Sequence, residues 1–146
     1  MKIKLFYSAI IVAALCVNAL NTLAAELEVE VTGVRSAEGQ VKLMLFERAE
    51  GFRKEDKSRE VLVLPATVGT VRGVFSALPP GRYAIVSYHD EDGDGKLKLR
   101  FGMFPREGYG LSANPSVSAP PAFKDAAFDV LEAGIKLAIE LKYPSE

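Results

Sequence analysis

The residue types that could support chemistry are concentrated in one acidic segment, residues 89–97, which reads HDEDGDGKL. Within it Asp90, Asp92 and Asp94 alternate along the chain, and Gly95 then permits a sharp turn. Ca²⁺ takes about 6–8 oxygen ligands, and alternating carboxylates on a curling backbone can converge on one ion. The spacing therefore matches the opening of a calcium-binding loop.

The rest of that loop pattern is incomplete. An EF-hand is closed by a bidentate Glu at its twelfth position, and this chain has Phe101 there. Lys96, Lys98 and Arg100 follow closely and partly cancel the anionic field. Another carboxylate must close any such site, and Glu107 is the nearest candidate. The candidate metal ligands are therefore Asp90, Asp92, Asp94 and Glu107.

A turn without any ion explains the same residues. Asp92-Gly93 and Asp94-Gly95 are favoured hairpin-turn pairs, because Asp and Gly tolerate positive φ. A strand that ends at His89 and turns back needs no metal. Optional calcium and plain turn chemistry both remain open.

His89 is the sole histidine, and with Asp90 or Glu107 nearby it could serve a small hydrolase as general base. One histidine without a cysteine partner makes a poor zinc site. Ser87 lies two residues earlier on the same strand face, but nothing specifies its contact with a base or an oxyanion donor. The pattern favours a strand-end histidine bonded to a loop carbonyl, so no catalytic residue is assigned.

The elements that must position these residues have an apolar period of two, which is typical of strands with one buried face. Leu27, Val29 and Val31 alternate with polar residues, as do apolar residues from Ile135 to Leu141. Five further segments lie between them: 41–46, 61–68, 71–78, 82–88 and 126–131. Seven short strands predict an all-β fold, a single antiparallel β-sandwich over residues 26–146 that is immunoglobulin-like or transthyretin-like. A small barrel is the alternative.

Two features of the connections carry further expectations. Tyr83 follows the turn Pro79-Pro80-Gly81 and is predicted to return its hydroxyl to that turn, as in a tyrosine corner. Residues 48–60 form a charged loop, and residues 99–124 form a long aromatic-rich loop without period. Long loops in compact domains are often functional, although aromatic residues can also cap an open sandwich end. The candidate ligand-binding residues are His89, Phe104, Tyr109 and Asn114.

The N-terminus predicts export. Lys2 and Lys4 precede the apolar run 5–17, and the small residues Ala24 and Ala25 supply a cleavage site, so residues 1–25 are predicted to be a signal peptide. The apolar run is shorter than the roughly 20 residues that span a bilayer, which argues against a stable membrane anchor after cleavage. The destination is periplasmic or secreted.

Composition restricts the partners. Cleavage would remove two of 18 basic residues and leave 16 against 19 acidic ones, a formal net charge of −3. That charge disfavours nucleic acid and anionic membrane surfaces. The only cysteine, Cys16, lies in the leader, so the remaining domain has no disulfide and depends on its core.

Several motifs together resemble one family. They are Val31-Thr32-Gly33-Val34, Glu50-Gly51-Phe52, Leu78-Pro79-Pro80-Gly81-Arg82-Tyr83, the acidic segment 89–97, and Pro105-Arg106-Glu107-Gly108-Tyr109-Gly110. The chain resembles the bacterial exported proteins grouped as the domain of unknown function DUF2141. The resemblance implies a secreted or periplasmic β-sandwich without an established activity. Family members often carry Asp where this chain has Lys98, a departure that removes one possible oxygen ligand.

The sequence therefore predicts a non-catalytic envelope module that binds an envelope protein, a glycan or a small ligand through the 89–114 loops, with calcium as an optional cofactor. A small hydrolase that uses His89 is the alternative from a different class. A structural or assembly subunit, which would pair through an exposed sheet edge or apolar patch, is the third interpretation.

Overall fold

The computed structural model describes residues 24–116 and 119–144, with only the backbone described for Phe104. The predicted leader therefore lies almost wholly outside the described residues. The first strand begins at Ala25, whose side chain is buried in the core. No helix within the described ranges is long and apolar enough to cross a membrane.

Strands dominate the described chain. Their bounds are β1 Ala25–Val34, β2 Gln40–Phe46, β3 Glu60–Pro65, β4 Gly69–Leu78, β5 Gly81–Asp90, β6 Leu99–Arg100, β7 Phe104–Pro105, β8 Tyr109–Leu111, β9 Phe128–Val130 and β10 Ile135–Glu140. One 3-10 turn, Glu55–Lys57, and one short helix, α1 Phe123–Ala126, complete the regular structure.

The strands form two main sheets and one small hairpin. The three-stranded sheet has the order β10-β1-β4, and the larger sheet has the order β3-β2-β5-β8. Strand β9 pairs with the start of β5, while β6 and β7 pair only with each other. This arrangement confirms the all-β sandwich. The pairing of β1 with β10 is parallel, which differs from the purely antiparallel expectation.

The main core lies between the two sheets and follows from the alternation of apolar side chains. From β1, Leu27, Val29 and Val31 are fully buried, and they meet residues such as Leu43 of β2 and Ile85 of β5. Burial of apolar surface contributes about 25 cal/mol per Å². This layer therefore makes a large contribution to stability in a domain predicted to lack disulfides.

The larger sheet is also apolar on its outer face. Met44, Phe46 and Tyr88 point away from the main core into a second buried cluster. Phe52, from the charged loop, packs edge-on against Phe46 with ring centroids 5.2 Å apart, and against Phe123 at 5.7 Å. Both long connections therefore fold over this face instead of projecting into solvent, which explains why β2 and β5 are apolar on both sides.

The long connection departs from the sequence prediction. Residues 99–124 were expected to form a loop without regular structure, but they contain β6, β7, β8 and the start of α1. These additions give ten strands instead of about seven. The expected strands 61–68 and 126–131 are shorter, ending at Pro65 and spanning Phe128–Val130. Strands of two or three residues are too short to show a period, so the sequence pattern could not reveal them.

Two contacts fix the ends of the sandwich. The Tyr83 hydroxyl donates to the carbonyl of Pro79 at 2.8 Å, which confirms the predicted tyrosine corner. Tyr109 and Lys142 exchange two backbone hydrogen bonds of 3.0 and 2.8 Å. The second contact joins the edge of the larger sheet to the chain that follows β10.

Candidate functional site

The acidic segment begins inside the fold. Asp90 is the last residue of β5 and is fully buried. Its carboxylate accepts hydrogen bonds from the backbone N–H groups of Asp94, at 3.1 Å, and Gly95, at 2.9 Å, and from the Gln40 amide at 2.9 Å. A buried carboxylate is stable only when its oxygens are paired in this way. Asp90 therefore holds residues 90–97, which we call the acidic turn, against the end of β5.

The structure brings three of the four predicted metal ligands together. Carboxylate oxygens of Asp90, Asp92 and Glu107 all lie within 4.8 Å of one another. Asp94 is not in this group, and one of its oxygens accepts a hydrogen bond from the Lys96 backbone N–H at 2.8 Å. Three converging carboxylates have the donor chemistry for a hard cation.

A side chain of the protein already supplies positive charge to these residues. The Lys98 ammonium forms an ion pair with Asp92 and lies 3.6 Å from the second oxygen of Asp94. Glu107 is buried, and one oxygen accepts from the Lys98 backbone N–H at 3.2 Å. Burial raises the pKa of Glu107, and the carboxylates of Asp90 and Asp94 raise it further. Lys98 therefore competes with any metal ion for the same oxygens.

His89 is fully buried and both of its ring nitrogens have partners. Nε2 lies 2.8 Å from the carbonyl oxygen of Glu38, and Nδ1 lies 2.8 Å from the hydroxyl of Tyr143. A carbonyl can only accept, so Nε2 carries a proton, and in the neutral tautomer with that proton Nδ1 accepts from the Tyr143 hydroxyl. Burial raises the pKa of the Tyr143 phenol, which keeps it a donor at neutral pH. The loop-carbonyl contact expected from the sequence is present, and both ring nitrogens are engaged within the protein.

Ser87 gives no support to nucleophilic chemistry. Its hydroxyl is buried and has no hydrogen-bond partner among the described residues. A nucleophilic serine is activated through a hydrogen bond to a base, and no such bond joins Ser87 to His89. A serine nucleophile activated by His89 therefore lacks its first geometric requirement.

The second buried cluster borders a cavity of about 580 Å³ on the outer face of the larger sheet. Its floor comes from β2 and β5, and its walls come from the acidic turn, the β6–β7 hairpin and the chain before α1. The apolar lining includes Met44, Val86, Leu97, Leu111, Pro120 and Pro121. We call this space the outer cavity. Its lining brings together residues that are far apart in sequence.

A polar group of the protein lies beside the outer cavity. Lys42 is a buried lysine, and its ammonium lies 2.8 and 2.9 Å from the two oxygens of Glu55. It also donates to the Gly95 carbonyl at 3.0 Å, to which the Tyr88 hydroxyl donates at 2.9 Å. Burial opposes the charged form of Lys42, but its contacts with Glu55 and Tyr88 outweigh that effect and raise its pKa. These bonds fasten the acidic turn to the floor of the cavity.

The predicted ligand-binding residues are distributed among different places. Tyr109 lines the outer cavity and also a smaller one of about 310 Å³. Asn114 borders the smaller cavity and fastens its side chain to β10, donating to the Ala138 carbonyl and accepting from the Glu140 N–H. The side chain of Phe104 lies outside the described part of the chain, and His89 lies beneath the surface.

Sequence reasoning missed several residues that line the outer cavity or lie beside it. Lys42 is the one charge within an otherwise apolar strand, QVKLMLF, and that exception was a usable signal for a paired buried group. Tyr88 offered a similar signal, because a tyrosine at the end of a central strand needs a partner for its hydroxyl. Arg53 also lines the outer cavity, and nothing in the sequence signalled that, because its loop is distinguished only by its charge.

Comparison with known proteins gives a family and no closer relative. No curated protein matches the chain, and no solved structure matches it. One family model, described as an uncharacterized protein conserved in bacteria, matches residues 29–137. The match covers most of the described sandwich, the acidic turn and every residue that lines the outer cavity. The resemblance seen in the sequence is thereby confirmed: the chain belongs to the bacterial family DUF2141.

Proposed function

We propose that this chain is an exported, non-catalytic binding module of the bacterial envelope, and that it takes a small apolar ligand into the outer cavity. The proposal keeps the 89–114 segment as the binding region. It assigns the contact to Leu97, Tyr109 and Leu111 instead of His89. The periplasmic or secreted location is also part of the proposal. It is inferred from the sequence of the leader, residues 1–25.

The observation that carries this proposal is the size and lining of the cavity. Ligand pockets typically enclose about 300–1,000 Å³ and combine apolar walls with a few polar groups. The outer cavity, at about 580 Å³, lies within that range. Its floor is built on the central strands β2 and β5, so the binding surface has a rigid base. Loop walls on a sheet scaffold are a common arrangement for binding sites.

The acidic turn has a supporting role in this proposal. Gly95 and Lys96 line the cavity, and Gly95 is held from one side by Asp90 and from the other by Lys42 and Tyr88. The carboxylates of the turn therefore determine the position of one cavity wall. Calcium or the Lys98 ammonium would serve the same purpose, which is to neutralise those carboxylates.

The cavity can be tested with a neutral fluorescent probe. We expect N-phenylnaphthylamine to bind protein purified after expression of the full chain and to gain fluorescence, because its rings leave water. Val86→Phe adds a ring to the cavity floor and should weaken binding by about tenfold or more. The matched control is Val74→Phe, which makes the same change at an exposed position on β4 and should leave binding unchanged.

Two results would contradict the proposal. One is the absence of any fluorescence gain with the unmodified protein. The other is equal binding by the unmodified and Val86→Phe proteins, provided that both unfold cooperatively at the same temperature.

The competition between Lys98 and a metal ion makes a separate prediction. Lys98→Asp removes the ammonium and adds an oxygen ligand beside Asp92 and Glu107, so we expect millimolar Ca²⁺ to raise the melting temperature of this variant by several degrees. A ligand that binds only the folded state at 100 times its Kd adds about 2.7 kcal/mol. The unmodified protein should shift much less, because its own ammonium already occupies those oxygens.

Thermal melting with and without Ca²⁺ measures the difference. The control is Lys98→Asp combined with Asp92→Asn, which keeps the altered turn but removes one candidate ligand and should lose the shift. A calcium shift in the unmodified protein as large as in Lys98→Asp would show that Lys98 does not replace the ion.

A further inference from the structure

The outer cavity has an apolar interior that extends to its rim. Leu99 and Met103, on the β6–β7 hairpin, line it and are 43% and 56% exposed, respectively. Large apolar side chains at a cavity mouth mark a surface that gains from being covered. A ligand that fills this space therefore has an extended apolar part that passes between the hairpin and the floor of the sheet.

The charges that line the outer cavity are unbalanced. Three ionic side chains, those of Arg53, Glu55 and Lys96, contribute to its lining. Both oxygens of Glu55 are already engaged by Lys42. Within residues 24–116 and 119–144, neither the Arg53 guanidinium nor the Lys96 ammonium forms an ion pair. The cavity therefore offers two cations that have no anionic partner within the described ranges.

We infer that the ligand of the outer cavity is a single-chain amphiphile with an anionic head, such as a long-chain carboxylate, whose head lies between Arg53 and Lys96 and whose tail enters the apolar interior. This inference rests on the proposed binding function and adds the chemical class of the ligand. Charge-assisted hydrogen bonds to a carboxylate are stronger than those between neutral groups. The two cations thus distinguish an anionic amphiphile from a neutral one of equal length.

A free molecule fits these observations better than a membrane surface. The outer cavity, at about 580 Å³, has room for one apolar chain, whereas a bilayer offers a flat surface that would contact only the rim. The expected net charge of −3 for the processed chain also opposes approach to an anionic membrane. The anionic head and the apolar tail are therefore expected to belong to one dispersed molecule.

Displacement of N-phenylnaphthylamine provides the test, with competitors kept below their micelle concentrations. We expect dodecanoate to displace the probe at a concentration about tenfold or more below that needed for dodecanol, and dodecyltrimethylammonium to be the weakest of the three. Each methylene removed from the carboxylate should weaken binding by about fourfold while the tail lies in the cavity. Arg53→Ala combined with Lys96→Ala should remove the preference for dodecanoate over dodecanol.

The control variant is Arg72→Ala combined with Lys136→Ala. It makes the same change of net charge on the three-stranded sheet, away from the cavity, and should retain the preference. If the probe binds but dodecanoate and dodecanol compete equally, the proposed binding function is supported and the inference of an anionic ligand is wrong. If the probe itself does not bind, the proposed function fails as well. Cosedimentation with anionic phospholipid vesicles, without binding of free dodecanoate, would overturn the inference in favour of a membrane.

Discussion

Replacing Gly39 with alanine is expected to lower the free energy of unfolding by about 3–5 kcal/mol, one of the largest effects of a single methyl group in this protein. Gly39 has a φ of +66°, and a Cβ there would overlap the carbonyl oxygen of Asp90. The obstacle is backbone, so no side-chain rotation can relieve it. Since the next residue, Gln40, pairs with Asp90 across β2 and β5, any shift would also disturb the base of the acidic turn.

The matched control for that experiment is Gly93→Ala. Gly93 has nearly the same conformation, with a φ of +70°, but a Cβ there has no atom within 4 Å. This variant should lose about 1 kcal/mol from backbone strain alone. Urea unfolding of both variants measures the difference, which isolates the collision with Asp90. Equal losses in the two proteins would show that the turn at Gly39 can move away from β5 without cost.

The sequence was most informative where side chains alternate regularly. The period of two in β1 and β10 identified both strands and their buried faces, and the proline-glycine turn identified the hydrogen bond of Tyr83. The same alternation could not give strand partners or directions. Leu27 lies opposite Ile135 in a parallel pair, and neither strand carries a residue that distinguishes that arrangement from an antiparallel one.

The acidic turn shows a different limit of sequence reasoning. Its spacing suggested that Asp90, Asp92 and Asp94 act alike, but their environments differ. Asp90 is buried and accepts hydrogen bonds from backbone N–H groups, and Asp92 forms an ion pair with Lys98. One oxygen of Asp94 accepts a hydrogen bond from the Lys96 backbone N–H within the turn. Spacing alone cannot tell a carboxylate that binds an ion from one that holds a turn, because both use the same oxygens.

The outer cavity could not be predicted at all from local patterns. Its lining joins Met44 of β2, Arg53 of the charged loop, Leu97 of the acidic turn and Pro120 before α1. No local sequence pattern distinguishes any of these residues from its neighbours. Only the folding of two loops onto an already apolar sheet face makes them neighbours, and that placement depends on tertiary packing such as the contact of Phe52 with Phe123.

The second large effect is expected at His89. His89→Ala should lower the free energy of unfolding by about 3–4 kcal/mol, because it empties a fully buried site and leaves the Glu38 carbonyl and the Tyr143 hydroxyl without their partner. The Tyr143 hydroxyl also accepts from the Arg35 N–H at 3.1 Å, so the imidazole connects the end of β5 to the turn before β2 and to the C-terminal segment.

A double-mutant cycle with Tyr143→Phe tests whether the hydrogen bond between His89 and Tyr143 contributes to the free energy of unfolding. Tyr143→Phe alone should cost about 1–2 kcal/mol, since it removes one hydroxyl and leaves the ring in place. The two losses should not add, because each variant breaks the same hydrogen bond, and a coupling of about 1 kcal/mol is expected in urea unfolding. Additive losses would mean that the 2.8 Å contact contributes no stability.

The same histidine variants separate a structural role from a catalytic one. His89→Gln retains a donor and an acceptor, and it should recover part of the stability lost in His89→Ala. Model ester, glycoside and phosphate substrates should be turned over no faster by the unmodified protein than by folded His89→Gln. A substrate hydrolysed only by the unmodified protein would show that the imidazole, here buried and bonded at both nitrogens, becomes accessible and performs chemistry.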